Sequence, residues 1–204
     1  MNLNPFLRRR ALVVLLAATA TLVAGCSDSK PSFVSVDITG ADYARDFRLN
    51  DADGRERSMK DFAGKVVVVF FGYTQCPDVC PTTMNELAEI RRLLGKDGDR
   101  LQGVFVTVDP QRDTPEVLKA YLGNFDPSFV ALRPSSAEQL AALAKDFKIY
   151  YKRVDGRTDT SYTMDHSAGS YVYDTKGQLR LFTRYGMGIK PLAGDIQQLL
   201  QQAS

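Results

Sequence analysis

Lys65-Val66-Val67-Val68-Val69-Phe70-Phe71, then the loop Gly72 to Cys80, then Pro81 to Leu94, is the stretch on which the fold turns. A continuous β-branched and aromatic run of this length reads as a central strand covered on both faces. Pro81 suits the first turn of a helix, and Leu87, Ile90, Leu93 and Leu94 recur at helical spacing behind it. Gly95 to Asp99 breaks that helix, and Leu101 to Val108 repeats the buried-strand pattern. Strand, helix and strand in this order predict a parallel crossover and an α/β class.

Outward from this unit the pattern continues on both sides. Upstream, Ile38 to Leu49 is expected as an opening strand and Asn50 to Gly54 as a turn. Downstream, Thr114-Pro115-Glu116 opens a helix to about Leu122, with Thr114 as cap. Ser135-Ser136-Ala137-Glu138 is predicted as a capping box for a helix through Leu140, Leu143, Ala144 and Phe147. Ile149 to Val154 is predicted as a strand and 155–164 as a polar connection. Ser170 to Tyr173 and Leu179 to Tyr185 form a hairpin about Asp174-Thr175-Lys176-Gly177, and Pro191 to Gln201 is the last helix. The expectation is one domain from 37 to 204, with parallel crossovers and a terminal antiparallel hairpin.

The first 25 residues read as an export signal rather than as part of the fold. Arg8, Arg9 and Arg10 precede an apolar run from Ala11 to Gly25, which is short for a membrane span and ends in small residues. Val23-Ala24-Gly25-Cys26 resembles a bacterial lipobox, so Cys26 is the expected lipidation site and 26–36 the anchor and tether. Without residues 1–25, Lys plus Arg falls from 26 to 23 against 24 Asp plus Glu, a formal charge of −1. The basicity belongs to the signal, and nothing favours a nucleic-acid partner.

Cysteine usage is the next constraint. With Cys26 assigned to the anchor, Cys76 and Cys80 remain, four positions apart. A bridge closing so small a loop restricts the unfolded chain little, so chemistry is a better reason for the pair than stapling. The loop leaves a central strand and enters a helix, where free N–H groups and the dipole favour thiolate. On a helix, residues at this spacing have Cβ atoms about 5–6 Å apart, close enough to share a metal ion or, with local adjustment, to form a disulfide. The chain's single histidine is His166, in Met164-Asp165-His166-Ser167. Two thiolates and an imidazole lean soft: they suit Cu(I), tolerate Cu(II), and leave zinc possible with an incomplete protein set. The competing readings of the cysteines are a pair of buried thiols, a dithiol oxidoreductase and a thiol peroxidase. Three residues between the cysteines, rather than the usual two, together with His166 favour metal over the oxidoreductase.

Phe71-Gly72-Tyr73-Thr74, Cys76-Pro77-Asp78-Val79-Cys80-Pro81, Val108-Asp109-Pro110-Gln111-Arg112-Asp113-Thr114-Pro115 and Asp165-His166-Ser167 together resemble the Sco/SenC copper proteins of cytochrome c oxidase assembly. The resemblance runs from about residue 43 to 200. It implies a thioredoxin-like fold with a central mixed sheet and flanking helices, and one copper ion, Cu(I) or Cu(II), on Cys76, Cys80 and His166. It further implies delivery of copper, or of reducing equivalents to the cysteines, at the dinuclear copper centre of an oxidase subunit. Other periplasmic copper chaperones are implied partners, and the periplasmic face of the inner membrane the location. Asp109 is expected either to form a turn or to tune the site from behind the ligands. Asp113 is expected at a turn or cap, Arg112 in a local pair or on a partner surface, and Asp165 or Met164 in lesser roles as tautomer anchor or soft ligand. Tyr73, Tyr150, Tyr151, Tyr162, Tyr171 and Tyr173 read as half-buried strand residues.

Overall fold

The protein is represented by a computed structural model that describes residues 32–158 and 161–202. The expected signal and Cys26 lie outside these residues. Among the described residues, no helix is long and apolar enough to cross a membrane.

The valine run forms strand β4 (Val66–Gly72), every residue of which is buried. Helix α1 (Val79–Leu93) follows, and a 3-10 turn at Gly95–Arg100 returns the chain to strand β5 (Leu101–Thr107), also buried throughout. β4 and β5 pair in parallel over their whole length, from Val66 opposite Leu101 to Gly72 opposite Thr107. Helix α2 (Pro115–Gly123) then leads to strand β6 (Val130–Arg133), parallel to β5. On the other side of β4 runs strand β9 (Ser170–Tyr173), antiparallel, continued by strand β10 (Leu179–Thr183). Short strands β1 (Val36–Asp37), β2 (Leu49–Asp51) and β3 (Glu56–Arg57) finish the edges, giving the order β1-β10-β9-β4-β5-β6-β2-β3. Helix α3 (Ala137–Asp146) follows β6, and helix α4 (Ile189–Gln201) ends the chain against α1 and β4. This central mixed sheet with flanking helices is the expected α/β, thioredoxin-like arrangement.

Side chains alternate across the pleat, and this decides what reaches the site. Phe71 points to Phe147, while Phe70 points to Phe105 and to the ring of His166. Gly72 shares the face of Phe70. The site therefore sits on the Phe70 side, at the C-terminal end of β4.

Four expectations need correction. Ile38 to Leu49 is not a strand. Asp37 accepts from the Thr39 amide in a local turn, Gly40 has a φ of 86°, and Ala44 a φ of 50°, so the chain curls where it was expected to extend. The fold also takes in Phe33 to Val36, ahead of residue 37, because Asp195 accepts from the amides of Val34 and Ser35. The α3 cap is shifted by one: Ser136 accepts from the Gln139 amide, and Gln139 reaches back to Ser135. Finally, strand β7 (Tyr151–Val154) pairs with a strand that the polar connection concealed, β8 (Thr163–His166), in a separate two-stranded sheet.

Candidate metal centre

Each of the three expected ligands arrives on a different piece of backbone. Cys76 lies in the loop after β4, its amide donating to the Tyr73 carbonyl at 3.3 Å. Cys80 is in the first turn of α1 and fully buried. His166 ends β8. Their ligand atoms all lie within 4.8 Å of one another, so a small inward adjustment lets one ion bond to each donor at about 2.0–2.3 Å. Histidine Nε2 is 3.4 Å from Cys80 Sγ.

The ring orientation is set by the backbone rather than by Asp165. Nδ1 of His166 is 3.0 Å from the carbonyl oxygen of Ser167, an acceptor only, so Nδ1 carries the proton and Nε2 presents its lone pair to the cysteines. Edge-on contacts with Phe70 and Tyr73, centroids 5.9 and 5.8 Å away, hold the ring upright. Asp165 is exposed and points outward. Met164 is buried beside Tyr73.

The two sulfurs differ in charge. The Cys80 thiol beside it pulls the Cys76 pKa down to about 4, overcoming burial, with the amides of Asp78 and Cys80 adding to the effect. The reverse interaction, with burial second, pushes Cys80 far up. Cys76 is therefore the sulfur favoured as thiolate, and Cys80 the one favoured to keep its proton. Cys76 is also the more accessible sulfur.

Gly72 leaves room for this arrangement. A Cβ there would stand 2.7 Å from Cys80 Sγ, 2.7 Å from Phe70 and 3.0 Å from Phe105. Behind the loop, fully buried Asp113 accepts from the Thr74 amide at 3.2 Å, and from the hydroxyls of Thr74 and Thr107 at 2.5 Å each. Burial is the main cause of its raised pKa, which these donors only partly offset. Asp113 thus pins the start of the cysteine loop to the end of β5, and the helix cap is Thr114, whose hydroxyl accepts from the Val117 amide.

The Asp109 side chain meets Arg112 and Tyr162 rather than any of the three expected ligands. It accepts from Arg112 Nε at 2.5 Å and from the Tyr162 hydroxyl at 2.8 Å. Arg112 is only 15% exposed, so its role is this local pair rather than a partner surface. Sequence reasoning passed over Gly72, Ser167 and Tyr162 as parts of the site. The glycine within Phe71-Gly72-Tyr73 was the one available signal, since glycine in a strand often marks a close approach.

The SCO1/SenC family profile matches residues 28–201. The SCO2-like protein of Rickettsia felis is 40% identical over 134 residues, which are 65% of this chain and 65% of that protein's length. Among solved structures, Bradyrhizobium japonicum ScoI with copper bound superposes with a TM-score of 0.68 at 37% identity, covering 76% of this chain and 97% of that one. Yeast Sco1 with copper bound gives 0.68 at 29% identity, covering 84% and 90%. Matched along nearly its whole described length, the chain belongs to the SCO1/SenC family.

Proposed function

We propose that this protein is a copper metallochaperone that carries one ion on Cys76, Cys80 and His166 and delivers it to the dinuclear copper centre of cytochrome c oxidase. The observation that carries the reading is the convergence of two sulfurs and one imidazole nitrogen within 4.8 Å. Three donors of this softness suit Cu(I), and the imidazole keeps Cu(II) acceptable. A three-donor set also leaves the ion open to an incoming ligand. Relatives solved with copper bound support the choice of metal.

The asymmetry of the sulfurs suggests an order of events. Cys76, already a thiolate and partly exposed, captures the ion first. Cys80 follows and gives up its proton, and Nε2 of His166 completes the set without proton loss. Release runs in reverse, with Cys76 the first donor to be shared with an acceptor's thiolate or imidazole. A disulfide between the cysteines removes both soft donors, so the redox state gates the cargo. The expected lipid anchor at Cys26, on the periplasmic face of the inner membrane, would keep the domain near a membrane-bound oxidase.

The depressed pKa of Cys76 favours a second reading, a reductase of the oxidase subunit's cysteines. In that reaction Cys76 thiolate attacks a partner disulfide and releases one partner thiolate. Cys80, losing its proton, then attacks Cys76 Sγ and frees the second thiolate, leaving a Cys76–Cys80 disulfide. Titration of the reduced protein with Cu(I) against a competing chelator separates the two. The chaperone reading expects one ion per chain, with affinity about a hundredfold or more lower in His166→Ala, above the 10–100-fold typical of an outer partner. Equal affinity in His166→Ala, together with turnover of a disulfide substrate, would leave only the reductase.

A further inference from the structure

The hairpin that carries His166 lies outside the main sheet, anchored by the inward side chains Tyr162 and Met164 in the core. A two-stranded ribbon is marginal alone, and among the described residues β7–β8 shares no strand pairing with the main sheet. A cavity of ≈ 310 Å³ lies beside it, lined by Tyr151 and Met164 of the hairpin and by Pro134 and Leu140 among others. Yet His166 must stand at a fixed height over the cysteine loop for its ring to share an ion with the two sulfurs.

Arg112 adds a polar connection to that packing. Its Nη1 donates to the Gln75 side chain at 3.0 Å, immediately before Cys76, and to the Tyr162 carbonyl at 2.8 Å, immediately before β8. One guanidinium thus touches both the cysteine loop and the hairpin. Its plane lies over the Tyr162 ring with Cζ 3.4 Å from the centroid, and Arg153 lies over the same ring at 3.9 Å. Asp109 closes the circuit, accepting from Arg112 Nε through one oxygen and from the Tyr162 hydroxyl through the other. Asp109 is 4% exposed and Tyr162 8%, so these charge-assisted bonds are shielded from water. Tyr162, Met164 and His166 alternate inward along the strand while Thr163 and Asp165 face out. Fixing the Tyr162 end therefore fixes the roll of the face on which His166 stands.

We infer that Arg112 and Tyr162, joined through Asp109, are positioning residues for the metal: they clasp the hairpin to the cysteine loop and so set the His166 ring against the two sulfurs. This rests on the reading that Cys76, Cys80 and His166 hold copper. The role differs from mere stabilisation because its effect must pass through His166.

A double-mutant cycle on the full, reduced chain makes that distinction, with Cu(I) as probe and a chromophoric chelator as competitor. Tyr162→Phe keeps the stacked ring and removes the bond to Asp109; Arg112→Lys keeps the charge and removes the fork. Each is expected to weaken copper binding about tenfold, the scale of an outer partner, and to weaken it no further when His166→Ala is already present. An equal loss in the His166→Ala background, or no loss in the parent, overturns the clasp. A second readout needs no metal: in the copper-free protein, amide exchange across Thr163–His166 should quicken in Tyr162→Phe while β4 and β5 stay protected, and unchanged exchange there overturns the proposal. Should Arg112→Lys fail to fold, Tyr162→Phe carries both measurements. If His166→Ala itself leaves copper affinity unchanged, the site reading fails instead, and the exchange experiment still decides the clasp.

Discussion

At the residue scale, one missing methyl group does as much for the site as any ligand's neighbour. Gly72 ends β4 with its backbone paired to β5, and its empty Cβ position lies 2.7 Å from Cys80 Sγ. Phe70 and Phe105 crowd the same point, so an added methyl group must displace one of these side chains, and any shift of the Cys80 sulfur disturbs the metal site. Gly72→Ala is therefore expected to lower Cu(I) affinity about tenfold or more, the scale on which supports of a metal ligand act. Overpacking should also destabilise the fold by about 1–3 kcal/mol. Competition titration and thermal melts of the same variant check this, and unchanged copper affinity would show that the pocket gives way elsewhere. The three residues that converge, Cys76, Cys80 and His166, were conspicuous in the sequence because cysteine and histidine are scarce in this chain. Tyr162 and Arg112 were not. They lie fifty positions apart, each has an ordinary local explanation, and only the folded chain brings the ring under the guanidinium.

At the scale of elements, the strong signals were those with a long period. β4, α1, β5 and α4 fall within a residue or two of their expected limits, since runs of this length leave one reading. Short elements were read less well. β6 is only four residues, squeezed between Pro127 and Pro134, and β8 turns just two side chains inward, so neither stands out from its surroundings. In the β2–β3 hairpin one carboxylate reinforces the strand pairing and the turn. Asp51 accepts from the amides of Asp53 and Arg55 at 2.9 Å and from Arg57 Nε at 2.7 Å. Burial alone would raise its pKa; Arg57 and the amides outweigh that and hold it below the usual carboxylate value. A carboxyl with a depressed folded-state pKa stabilises fully above its unfolded value of about 3.9, and that contribution fades as pH falls through the folded value. Asp51→Asn should therefore lower Tm at pH 7 by a few degrees, at about 2–4 °C per kcal/mol for a chain of this size. The gap between variant and parent should narrow below pH 4. Melts across pH test the sign, and a gap that widens on acidification would refute the assignment.

At the scale of the molecule, the donors belong to two separately built sheets. Cys76 and Cys80 hang from β4 and α1 of the main sheet, while His166 ends a ribbon outside it. An ion bound to all three is a cross-link between them, present only in the folded state, so it must stabilise that state by mass action. At a free copper concentration a thousand times Kd the gain is about 4 kcal/mol. For a chain of this size that corresponds to a rise in Tm of roughly 8–16 °C. Oxidation supplies the control. A Cys76–Cys80 disulfide closes too short a loop to stabilise much through the unfolded chain, and it withdraws two of the three donors. Calorimetry of the reduced protein should thus show a large copper-dependent rise in Tm, absent once the disulfide is formed, with little difference between the two metal-free forms. A copper-dependent rise of equal size in the oxidised protein would mean that the ion binds without the sulfurs, and the proposed gating of cargo by redox state would fall with it.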